Sequence, residues 1–89
     1  MIREERVLMA MAKIGAGSLP DTLNAQTFGG ASNGEDCAVC NGLIAPGATE
    51  LELEWRVDGF DRKAMAHPIC YAAWDEAVRR MVDGRAISR

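Results

Sequence analysis

The chain has 89 residues, a formal net charge of −3, 48% hydrophobic and 26% charged content. That composition is globular rather than disordered, and net acidity argues against non-specific binding of nucleic acid, which needs cations for the phosphates. A single small domain buries a limited share of its surface, so reinforcement by a metal, disulfides or a partner is expected.

Aromatic residues make up only 6%, and five methionines take over part of the core-filling role, packing adaptably. The first predicted element is a helix over Ile2 to Ile14, which has no Gly or Pro. Val7, Ala10, Met11 and Ile14 fall on one face, widened by Leu8 and Ala12. Gly15, Gly17 and Pro20 end it. Such a helix either covers the core or docks a partner; a small core favours covering. The apolar run Val7 to Ala12 is far short of the roughly 20 residues that cross a bilayer. With no signal-like N-terminus, a cytoplasmic protein without a membrane partner is expected.

Residues 16–36 read as an irregular, flexible segment, with Gly29-Gly30 and Ser32-Asn33-Gly34 as breakers and Leu19, Leu23 and Phe28 as anchors. Cys37 to Gly47 reads as a knuckle and a turn: Cys40-Asn41-Gly42 gives backbone freedom, and Pro46-Gly47 turns the chain. In Glu50 to Val57, Leu51, Leu53, Trp55 and Val57 alternate with Glu50, Glu52, Glu54 and Arg56. That period of two predicts a strand with one face on the core and one in water. Asp58-Gly59 predicts a tight hairpin returning to about Ala66. Val57 then opposes Phe60, Trp55 opposes Arg62, Leu53 opposes Ala64, and Glu54 opposes Lys63. Pro68 opens a final helix. Its apolar stripe is Cys70, Trp74, Ala77, Val78 and Met81. Asp75 and Glu76 precede Arg79 and Arg80 by four. Gly84 is the expected stop, leaving Arg85 and Arg89 on a fraying tail. The fold class is α+β, organised as an N-terminal helix (1–15), a loop (16–36), a compact module (37–83) and a tail (84–89).

Three cysteines and a single histidine complete the inventory, and an odd cysteine count argues against a full internal disulfide framework. All four fall into two pairs, Cys37-Ala38-Val39-Cys40 and His67-Pro68-Ile69-Cys70, separated by 26 residues. Two donors three positions apart reach one ion from a turn or from the first turn of a helix, and two such pairs complete a tetrahedron. A Cys3His set around Zn²⁺ is closed, which is the mark of a structural site. The helix N-terminus around Cys70 favours thiolate. The alternatives are a thiol–disulfide pair at Cys37 and Cys40, which would call for a β-α-β context, or small buried cysteines with a surface histidine.

Knuckle, hairpin and a helix carrying ligands in its first turn resemble a treble-clef zinc finger, on Cys37 to Gly47 and His67 to Trp74. The same stretch looks like a single LIM-type half-module, with a longer gap between the pairs. One finger behind an N-terminal helix is also similar to small bacterial zinc-finger proteins. The resemblance covers Cys37 to about Arg80 and implies that Cys37 and Cys40 are knuckle ligands, and His67 and Cys70 helix ligands. The family includes nucleic-acid binders, interaction modules and enzymes, so the fold alone leaves function open.

With the only histidine committed to zinc, no other histidine can serve as a base and the carboxylates fall on exposed faces, so the leading expectation is a non-catalytic module that meets a protein partner. The runner-up is a nucleic-acid accessory or regulator using Arg56, Arg62, Lys63, Arg79, Arg80, Arg85 and Arg89. A thiol or zinc redox sensor is a third class.

Overall fold

The computed structural model describes residues 2–23 and 25–87, of which 83–87 by backbone alone. Its elements run in the order α1 (Arg3–Gly15), β1 (Gln26–Ala31), β2 (Thr49–Val57), β3 (Phe60–Ala66) and α2 (Pro68–Ile87). The three strands form an antiparallel sheet in chain order. The two helices pack on each other, and α2 also meets β2.

The hairpin is the element most completely encoded in local sequence. Asp58 and Gly59 both take positive φ, 50° and 83°, as a two-residue turn compatible with strand twist requires. The turn sets the register: Val57 pairs with Phe60, Trp55 with Arg62, Leu53 with Ala64 and Glu54 with Lys63, as predicted. The two faces of β2 are less cleanly divided than its alternation implies. Leu53 is fully buried, but Val57 is exposed and Trp55 only half-buried, whereas Glu50 is 8% exposed.

β1 corrects the reading of residues 16–36 as irregular. Gln26–Ala31 pairs along its whole length with β2, from Gln26 opposite Glu54 to Ala31 opposite Thr49. All six of its residues are exposed, so no apolar alternation marks it in the sequence. Backbone pairing holds it in place, and Thr27 reaches the Tyr71 hydroxyl on α2 at 3.5 Å.

In α1, Val7, Ala10 and Ile14 are buried. Leu8 and Ala12 point to solvent, so the apolar face is narrower than expected, with Met9 packing at its margin. On α2, Cys70, Ala73, Trp74, Ala77 and Val78 are buried in the same core. Arg80 crosses the helix pair to hold Glu4 with two bonds of 2.8 and 2.9 Å, and this keeps the Glu4 carboxyl below its ordinary range. The expected pairs Asp75–Arg79 and Glu76–Arg80 also form, at 2.9 and 3.2 Å. Gly84 does not stop α2, which continues to Ile87; a glycine inside a helix costs only about 1 kcal/mol. Arg89 lies outside the described residues.

Trp74 ties the remaining loop down. Its ring is 1% exposed, and its indole N–H donates to the Pro20 carbonyl at 2.8 Å. Leu19, beside that carbonyl, is buried in the same core. Leu19 and Pro20, within the segment expected to be mobile, are thus tied to the core beside Trp74.

Candidate metal centre

The knuckle is shaped by its own backbone. The Cys37 N–H donates to the Gly42 carbonyl at 2.8 Å, and the Asn41 N–H donates to the Cys37 carbonyl at 2.9 Å. Closing so short a loop needs one left-handed residue, and Asn41 supplies it with φ of 65°. Asparagine tolerates that region better than most residues. Gly42 serves a different purpose. Its N–H points at the Cys40 sulfur at 3.4 Å, and a Cβ there would sit only 3.4 Å from that sulfur. The Lys13 ammonium, from α1, holds the Asn41 side-chain oxygen at 2.6 Å. The Ala38 N–H donates to Met65 O at 2.8 Å, fastening the knuckle to β3.

The second pair arrives from the hairpin. His67 follows the last residue of β3, and Cys70 lies in the first turn of α2. The structure brings all four residues together: the donor atoms of Cys37, Cys40, His67 and Cys70 lie within 4.8 Å of one another. Among the described residues, theirs is the group of donors arranged to hold a metal ion. A tetrahedron with ordinary Zn–S and Zn–N bonds has S···N edges of about 3.6 Å. The Nδ1 atom of His67 lies 3.5 Å from the Cys40 sulfur and 3.8 Å from the Cys70 sulfur. All three cysteines are free thiols.

The histidine tautomer follows from its other nitrogen. Nε2 lies 3.1 Å from the Leu43 carbonyl. A carbonyl only accepts, so the imidazole proton sits on Nε2. Nδ1 therefore offers a lone pair towards the sulfurs. A ligating histidine usually has its second nitrogen tied in this way, which fixes the ring and raises its basicity. Leu43 escaped the sequence reading because its backbone oxygen does the work, and no residue type signals that.

The thiols differ in their electrostatics. Burial raises the Cys37 thiol, but the N–H groups of Cys40, His67 and Val39 outweigh it. The result is about 7. Burial, then the charge of Cys37 and Cys40, push the Cys70 thiol up to about 12. Burial and the neighbouring sulfurs therefore outweigh the help that the helix N-terminus gives to the Cys70 thiolate. A divalent cation bound by three thiolates must displace the Cys70 proton throughout the neutral range, and the Cys37 proton as well below about 7. The loaded state holds fewer protons than the free one, so affinity rises with pH. Metal affinity measured calorimetrically should increase by about tenfold or more per pH unit across the neutral range, one displaced proton giving the lower figure. An affinity independent of pH would contradict this ligand set.

A second polar cluster flanks the knuckle and was not foreseen. The Ser32 hydroxyl donates to Ile44 O at 2.9 Å, with the Glu35 carboxylate 3.2 Å away as the alternative acceptor, and it accepts from the Gly34 N–H. Glu35 also accepts from the Asn33 N–H at 3.1 Å, which keeps its carboxyl low. Burial, then the neighbouring Glu35, raise the Glu50 carboxyl above its usual range. Ser32-Asn33-Gly34 was legible as a turn; Glu50's reach into it was not.

The chain matches no protein-family model, no curated protein and no solved structure. What defines it is therefore the site itself: a small α+β protein with a Cys3His group positioned for a metal. No helix among the described residues is long and apolar enough to cross a membrane.

Proposed function

We propose that this chain is a non-catalytic, treble-clef-like zinc module whose single Zn²⁺ is structural, and that it acts by meeting a protein partner. The observation that carries the reading is His67: its Nε2 is spent on the Leu43 carbonyl and its Nδ1 faces Cys40 and Cys70. Three sulfurs and that nitrogen make a closed set, with no position left for water or substrate. Thiolate-rich tetrahedral donors suit zinc over magnesium or calcium, which take oxygen ligands. The order of knuckle, hairpin and helix supports the treble-clef comparison.

The nucleic-acid alternative is weakened by how the cations are used. Arg56 pairs with Asp61, Arg79 with Asp75, and Arg80 with Glu4 and Glu76. Native mass spectrometry tests the metal part: one zinc per chain is expected, and a chain that binds none would overturn it. For the interaction part, immobilised holoprotein that retains no specific protein from a lysate would count against the reading.

A further inference from the structure

We propose that the open edge of β1 receives an extended peptide segment from the partner, and that an Arg or Lys of that segment seats over Gly30 against Glu50 and Glu52. The proposal rests on the interaction reading above and names its surface.

The two edges of the sheet differ. β3 carries Asp61, Arg62 and Lys63, charges that discourage further strand pairing. β1, with the sequence Gln-Thr-Phe-Gly-Gly-Ala, carries none, and every residue is exposed. Its backbone is turned the right way. The Ser32 N–H donates to Ala48 O, and Ser32 O accepts from the Gly47 N–H. Inward bonding alternates from there to Gly30, Phe28 and Gln26. The N–H and C=O groups of Thr27, Gly29 and Ala31 therefore face the open edge, where an added strand finds them.

The acidic pocket lies beside that edge. A cavity of about 170 Å³ is lined by Phe28, Gly29, Gly30, Glu50 and Glu52. Gly30 adds no side chain to it, and nothing lies within 4 Å of where a Cβ there would be. Glu50 is 8% exposed, and its Oε2 is buried without a hydrogen-bond partner. Burial and the adjacent Glu35 raise the Glu50 carboxyl, so its unpartnered oxygen gains from a charge-assisted bond to a cation supplied from outside the chain. No cation of the chain pairs with Glu50, Glu52 or Glu54 within 4.0 Å among the described residues. A strand added to β1 runs about 10 Å from β2, two strand spacings away. A long basic side chain crosses Gly30 over that distance with its stem along Phe28. A second copy of this chain does not fit the site as well: β1 brings no cation, so symmetric pairing leaves Glu50 unanswered.

The test titrates zinc-loaded, ¹⁵N-labelled protein with two heptapeptides of alternating Thr and Val, one with Arg at its centre and one with neutral citrulline. The Arg peptide should shift the amides of Thr27, Gly29 and Ala31 and bind about tenfold more tightly, as expected for a charge-assisted pair. Glu50→Gln, which keeps the side-chain shape, should remove the preference for Arg. Gly30→Val, placed where there is room for a side chain, should weaken both peptides. Equal binding of the two peptides, an Arg preference that survives Glu50→Gln, or no shift at the β1 amides at concentrations on the order of 1 mM overturns the proposal. Any of these results in protein that retains its zinc leaves the metal reading standing.

Discussion

Cys70→Ser is expected to leave a chain that no longer folds cooperatively at room temperature, and Cys40→Ser to do nearly the same. The two residues sit in different surroundings: Cys70 is 1% exposed in the core, whereas Cys40 is only partly buried. If the cysteines were merely small apolar side chains, the more exposed one would tolerate serine and the buried one would suffer. A shared metal makes the two equivalent. Structural zinc contributes about 10–16 kcal/mol of apparent binding energy in small finger peptides. The net stability of a domain is about 5–15 kcal/mol. Loss of one thiolate therefore removes a contribution as large as the whole margin. Thermal and urea unfolding followed by circular dichroism, with zinc stoichiometry measured alongside, checks the pair. A Cys70→Ser chain that keeps its melting temperature and its zinc would remove that residue from the ligand set.

Trp74→Ala should be the most damaging substitution away from the four Cys and His donors, costing about 3–5 kcal/mol. The ring lies one helical turn beyond Cys70 and is 1% exposed, in a core where few other side chains are large. Its loss opens a cavity between α2 and the rest of the core and deletes the N–H that holds Pro20 O. Trp74→Phe separates the two contributions. It keeps much of the apolar volume but leaves the Pro20 carbonyl without its donor, a loss of about 1 kcal/mol on top of the reduced packing. Urea denaturation of the zinc-loaded variants measures both. If Trp74→Ala shifted the midpoint no more than Trp74→Phe, the core role assigned to the ring would be wrong.

The parts of the fold that were legible in the sequence are those that local chemistry specifies. The spacing of Cys37, Cys40, His67 and Cys70 identified the four donors that the fold assembles. Asp58-Gly59 fixed the hairpin register because only a few residues accept two consecutive left-handed conformations. β1 was not legible, because an exposed edge strand needs no apolar alternation and Gly29-Gly30 disguised it as a linker. The depth of Glu50 was hidden for another reason. Alternation places it on the outer face of β2, but the loop from Ser32 to Glu35 folds beside it. That burial depends on residues distant in sequence, as does the Lys13 contact to Asn41. The continuation of α2 through Gly84 shows the same thing in reverse, a local stop signal overridden by helix propagation.

The central claim is that four donors around one ion hold this small core together. Native mass spectrometry and far-ultraviolet circular dichroism, on the same sample before and after a zinc chelator, test it most directly. One zinc per chain, with loss of ordered structure on chelation and recovery on adding zinc back, is the result this account requires. A chain that sheds its zinc and keeps an unchanged spectrum and melting transition would contradict it.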